Sequence, residues 1–175
     1  MNVWMTNAGA PAPHDAPVSH RAARGAVASL PGGLAQGTLI LTLDGALPVE
    51  HLVPCDRVIT RAGMRRVVAV EALSTRTASR RQVRVAPGAL GHNRPDRALI
   101  LAADTPVFVR DWRAQALCGA AQGCVPAERL IDGEFVTECD APTRLFRLIF
   151  DSDQVIYADG VEIGCLIETA DTLAA

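Results

Sequence analysis

Gly37-Thr38-Leu39-Ile40-Leu41-Thr42-Leu43-Asp44-Gly45 is the stretch on which the fold class turns. Read as extended chain, it places Leu39, Leu41 and Leu43 on one face, because successive side chains of a strand point to opposite sides. Asp44-Gly45 then closes it with a strong short-range hairpin signal. One strand and a tight reversal in nine residues set the scale for the rest of the chain.

Downstream the same grammar repeats. Val49 to Val53 forms a connector that stops at Pro54, and Asp56-Arg57-Val58-Ile59-Thr60 is a second strand. Ala62-Gly63 makes a turn and Arg66 to Leu73 a third strand. Gln82 to Val85, Ala98 to Leu101 and Pro106 to Val109 continue the series, the first two parted by a Pro87-Gly88 turn. Val125 to Ile131 is the one stretch with a helical look, with Pro126 near its start and Asp132-Gly133 ending it. Strands return over Glu134 to Cys139 and over Arg144 to Phe150, where Phe146, Leu148 and Phe150 share a face. Val155 to Ala158 and Val161 to Ile167 flank a last turn at Asp159-Gly160.

About ten short strands with turn signals roughly every 8–15 residues, and no helices of crossover length between them, imply an all-β body and exclude a doubly wound α/β fold. No repeat stands out at a fixed period. Upstream, residues 1–32 are rich in Ala, Pro and Gly without strand or helix periodicity. They read as a disordered leader before a domain over residues 33–168, with a short tail at 169–175.

Composition narrows the function classes. The chain has 175 residues and a formal net charge of −2, and its cations are all arginine, with both signs interspersed. No basic stripe with interleaved aromatics marks a nucleic-acid surface. No run of 18 apolar residues marks a membrane span, and no positive n-region with an apolar stretch marks a secretory signal. A cytoplasmic protein is the expectation, although export through a C-terminal signal would leave no trace at this end. Cys55, Cys118, Cys124, Cys139 and Cys165 are odd in number and lack zinc spacing. Reduced thiols are therefore expected, and no disulfide framework. His14, His20, His51 and His92 are scattered, so neither a metal nor another cofactor is expected.

Few groupings carry chemistry. A cysteine nucleophile needs a base within hydrogen-bond reach, and no histidine context supplies one to Cys55 or Cys165. Cys55 stands in a turn after Pro54, and Cys165 alternates with apolar neighbours like a core thiol. Asp151 and Asp153 form an acidic pair at a hairpin mouth, a place where carboxylates more often serve turns than acid–base work.

The order of segments adds a further reading. Gly37 to Gly45, Val49-Glu50-His51-Leu52 and Cys55 to Thr60 resemble the opening of a Hint domain, the fold shared by hedgehog autoprocessing domains and inteins, in its short bacterial branch. Ala86 to Gly91, Leu99-Ile100-Leu101, Val107-Phe108-Val109, Val125 to Leu130 and Val155 to Gly160 follow in that branch's order. The resemblance covers about residues 33–168 and implies a compact, pseudo-symmetric, horseshoe-like β-fold with at most one short helix.

It also implies a chemistry that these residues do not support. Active members carry a cysteine four residues before the Gly-Thr, whose thiol attacks the preceding carbonyl in an N–S acyl shift; Gly33 stands there. Their Ser-Pro-x-His string is replaced by Ala102-Ala103-Asp104-Thr105, with Thr105 in the place of the histidine. Asp153 stands where a further histidine is common, Cys165 where a serine is expected, and Cys55 where glycine is usual. With nucleophile and base both gone, a cooperating catalytic set loses orders of magnitude in rate.

The expectation is a degenerate Hint-like domain serving as a structural or protein-binding module, with another protein as its partner. An autoprocessing domain with catalytic groups relocated to Cys55, Thr105 or Cys165 is the alternative. A small-molecule-binding β-domain, using a cleft vacated around Gly33, Thr105 and Asp153, is a third.

Overall fold

The computed structural model describes residues 32–73, 81–139 and 143–166. The expected leader and C-terminal tail lie outside the described residues. The chain runs through β1 (Leu34–Ala35), β2 (Leu39–Thr42), β3 (Gly45–Pro48), β4 (Arg57–Thr60), β5 (Gly63–Arg66), β6 (Ala69–Leu73) and β7 (Gln82–Val85). It continues through β8 (Leu99–Ala102), β9 (Pro106–Val109), helix α1 (Trp112–Cys118), β10 (Gly123–Pro126), β11 (Val136–Cys139), β12 (Leu145–Ile149), β13 (Gln154–Ala158) and β14 (Val161–Cys165). Two 3₁₀ turns, Val49–His51 and Ala127–Leu130, complete the described elements. No described helix is long and apolar enough to cross a membrane.

The fold is all-β, in two antiparallel sheets. One has the order β11-β7-β8-β1-β12-β6; the other runs β10-β9-β14-β13-β2-β4-β5, with β3 paired to β2. The core between them is aliphatic, as the scarcity of aromatics requires. Ile40, Val58, Val83, Leu101, Val107 and Ile156 are wholly buried.

Fourteen described strands exceed the roughly ten expected: β1, β3 and β10 were not foreseen, and one expected strand bends across both sheets. Arg66 to Leu73 reads as a single run, yet it breaks at Val67-Val68. Val67 exchanges hydrogen bonds with Cys55 and Asp56, whereas Val68 donates to Ile149 in the other sheet (2.8 Å). The chain thus turns a corner and leaves β4 for β12.

The expected alternation of β2 holds; its buried face is Ile40 and Thr42, with Thr38 just before the strand, while Leu41 and Leu43 are exposed. The threonines are admitted inside because the hydroxyl of Thr42 donates to Gly45 O (2.6 Å) and that of Thr38 to Ala35 O (2.6 Å), so no polar atom is stranded. The α-helix lies at Trp112–Cys118 rather than within Val125–Ile131, which forms the end of β10 and a 3₁₀ turn. Asp111 caps α1 by accepting from Arg113 N (2.9 Å), and Gly119 ends it in the left-handed conformation.

An internal repeat emerges in three dimensions. β1 to β3 and the turn at Val49–His51 match β8, β9, β10 and the turn at Ala127–Leu130. In each half a threonine donates its backbone N–H back to an alanine, Thr38 to Ala35 and Thr105 to Ala102. Its carbonyl accepts from the first residue of the 3₁₀ turn, Val49 or Ala127. Proline precedes both turns, Pro48 and Pro126, with near-identical backbone angles. A little further on, Cys55 (φ 77) matches Gly133 (φ 81). The halves differ at one hairpin. β2 and β3 are joined by Leu43-Asp44 alone, while α1 is inserted between β9 and β10.

Candidate functional site

β1 is only two residues long but lies mid-sheet, between β8 and β12. This places Gly33, just before it, against the turn from β8 to β9. Ala102 N donates to Gly33 O at 2.9 Å. The hydroxyl of Thr105, a residue 1% exposed, accepts from Gly33 N at 3.1 Å and donates to Gly33 O at 3.1 Å. One side chain therefore satisfies both backbone groups of a residue 72 positions away. The 3₁₀ turn buttresses Thr105 from behind, through Ala127 N to Thr105 O and Glu128 N to Ala103 O, each 2.9 Å.

The space around Gly33 is taken. A Cβ placed there would meet Leu73 Cδ1 at 2.9 Å and Leu145 Cβ at 3.3 Å. What remains is a crevice of about 20 Å³ lined by Gly32, Gly33, Thr105, Phe146, Ile163 and Cys165 among others. That is room for about one water molecule. The expected vacated cleft is not there: packing has filled it, and Asp153 is not among its walls.

Four of the sequence-selected positions thus come together: Gly33, Ala102, Thr105 and Cys165. Cys165 is partly buried as a residue, and its thiol is pushed up to about 12, first by burial and then by the neighbouring Cys124. Ionisation near neutral pH is then about one part in 10⁵, so Cys165 is a poor nucleophile. The remaining positions lie apart from the crevice. Asp104 is exposed in the turn before β9, and Asp153 is exposed ahead of β13. Cys55 is exposed in the turn before β4 with φ 77, a conformation that glycine adopts without a Cβ penalty.

Sequence reasoning missed two neighbours of this region and one buried acid at the far end of β14. Leu73 supplies the atom that would have to give way to a side chain at Gly33. Cys124, on β10, lies near Cys165 and has its own pKa raised by burial, then by Cys118 and Asp153. Glu162, only 6% exposed, sits between Arg110 (3.0 Å) and Arg61 (4.0 Å). Glu162 carried a signal, being a lone charge inside an apolar strand. Leu73 and Cys124 carried none. Among the described residues no three His, Cys, Asp or Glu side chains cluster as metal donors.

Comparison with known proteins agrees with this architecture. The Hint domain family matches residues 33–170. A bacterial intein-like domain from Clostridium thermocellum is 18% identical, with a TM-score of 0.54 over 77% of this chain and 98% of its own. A triply substituted gp41-1 intein is 12% identical, with a TM-score of 0.51 over 75% of this chain and 98% of its own. No curated protein matches.

Proposed function

The chain belongs to the Hint domain family, and from that premise we propose that it keeps the fold, has lost self-cleavage, and acts as a structural or protein-binding module. The observation that carries this reading is the pairing of Gly33 with Thr105. An acyl shift needs a nucleophile on the residue whose amide joins the scissile carbonyl, and a base beside it. Gly33 has no side chain, and Thr105 offers a hydroxyl already spent on Gly33 N and O. The surrounding packing leaves about 20 Å³, too little for the reacting groups and a water to rearrange.

The test is the intact mass of the full chain after long incubation, with and without dithiothreitol. One stable full-length mass is expected in both. A break near Gly33, or a fragment released by thiol, would overturn the reading.

A second reading has one observation in its favour: Cys165 brings a thiol to the same crevice. Self-cleavage through it requires a thiolate that its pKa of about 12 withholds. If Cys165 served as the nucleophile, Cys165→Ala would abolish any fragment that forms.

A further inference from the structure

A larger open space lies at the other end of the strand pair that holds the Gly33 crevice. β9 starts beside Thr105 and ends at Val109, while β14 runs antiparallel to it with Ile163 opposite Val107. The crevice sits where β9 begins and β14 ends. Where β9 ends and β14 begins, a cleft of about 350 Å³ opens, within the size range of small-molecule sites. It shares no lining residue with the crevice.

Its walls come from three elements. Arg110 and Arg113 belong to the insertion that carries α1, which the other half of the repeat lacks. Phe108 and Val161 come from the strand ends. Leu90 and Arg94 come from the loop before β8. Two of the guanidiniums are held in place. Arg110 donates to the buried Glu162 (3.0 Å), and Arg113 donates to Asp111 (2.6 Å) and to Ala89 O (3.0 Å). Arg94 has no acid partner among the described residues. Three guanidiniums and two carboxylates line the cleft, and Glu162 is shared with a further arginine, Arg61, so positive charge is in excess there.

The rim is also held in a costly shape. Gly91, His92 and Asn93 stand consecutively at positive φ (83, 53 and 56). The loop closes on itself through Leu90 N to Arg94 O (2.9 Å) and Arg94 N to Gly91 O (3.0 Å). Left-handed non-glycine residues cost about 1 kcal/mol each and gather at ligand clamps. A guanidinium fixed before binding loses little further freedom on meeting an oxyanion.

We propose that this cleft binds a small molecule carrying one carboxylate on an apolar body. Arg94 takes the carboxylate with help from Arg110 or Arg113, and the body rests on Leu90, Phe108 and Val161. The excess of positive charge calls for an anionic group, and a bare inorganic anion would leave most of the space unfilled. The proposal is independent of whether the chain cleaves itself.

The test is a titration of the ¹⁵N-labelled full chain with benzoate, set against benzamide as a neutral match and inorganic phosphate as a bare oxyanion. Benzoate is expected to give saturable shifts at residues 90–94 and 109–113, and benzamide none. Arg94→Ala, at an exposed position outside the core, is expected to weaken benzoate at least fivefold without changing the remaining spectrum. Benzamide binding as well as benzoate would overturn the proposal, as would phosphate binding more tightly. Unchanged affinity in Arg94→Ala, or shifts centred elsewhere, would overturn it too.

Discussion

The Thr38 corner and the Thr105 corner share one backbone design and put their hydroxyls to different use. Both threonines are buried, both return their N–H to an alanine three residues back, and both receive the first N–H of a 3₁₀ turn. Thr38 spends its hydroxyl locally, on Ala35 O. Thr105 reaches across the sheet to Gly33 and engages both of its backbone groups. A duplicated corner is thus a turn device in one half and a long-range tie in the other. What differs is the neighbour each hydroxyl finds, not the corner itself.

Thr105→Val should break the comparison most severely. It strands the buried Gly33 N–H and removes a donor to its carbonyl, so it should cost about 2 kcal/mol in urea unfolding, against about 1 for Thr38→Val. Equal losses would mean that the tie adds nothing beyond a turn. Gly33→Ala comes next, at about 1 kcal/mol, because Leu73 must swing away from the new methyl group. In a double-mutant cycle Leu73→Ala should absorb most of that cost; additive effects would place the strain elsewhere.

A gain is expected where the halves differ in residue but not in backbone. Cys55 and Gly133 hold matching positive φ angles, so Cys55→Gly should raise stability by about 0.5 kcal/mol once its greater unfolded freedom is deducted. A loss would show that the Cys55 side chain contributes contacts of its own.

The smallest effect concerns acid. Burial acts to raise the pKa of Glu50, but the hydrogen bond from Gly37 N (2.7 Å) and further local contacts outweigh it and hold the group below its usual 4.5. A carboxylate depressed on folding lends stability above its unfolded pKa and loses it as pH falls through the folded value. Glu50→Gln should therefore lower stability at pH 7 and flatten its decline below about pH 4.5. An unchanged acid profile would remove Glu50 from the account of the Thr38 half.

Much of this was legible from sequence, for physical reasons. Asp159-Gly160 and the alternation of Phe146, Leu148 and Phe150 are local signals, and local signals survived intact. The alternation of β2 was legible but not which face is inner: the hydroxyls of Thr38 and Thr42 find partners inside, so the threonine face is the buried one. α1 was missed because seven residues offer too short a period, although Asp111 and Gly119 bracket it as caps. The meeting of Gly33 with Thr105 followed from the order of family segments. The closure of the space around them did not, because Leu73 reaches Gly33 only after the chain switches sheets at Val67-Val68. The arginine cleft was invisible because its walls are drawn from segments up to about seventy residues apart.

The double grip on Gly33 also governs exchange with solvent. A proton shared between an amide and an enclosed hydroxyl trades with deuterium only when β1 is peeled from both flanking strands, an opening close in cost to global unfolding. The Gly33 amide should persist in heavy water alongside those of the central strands.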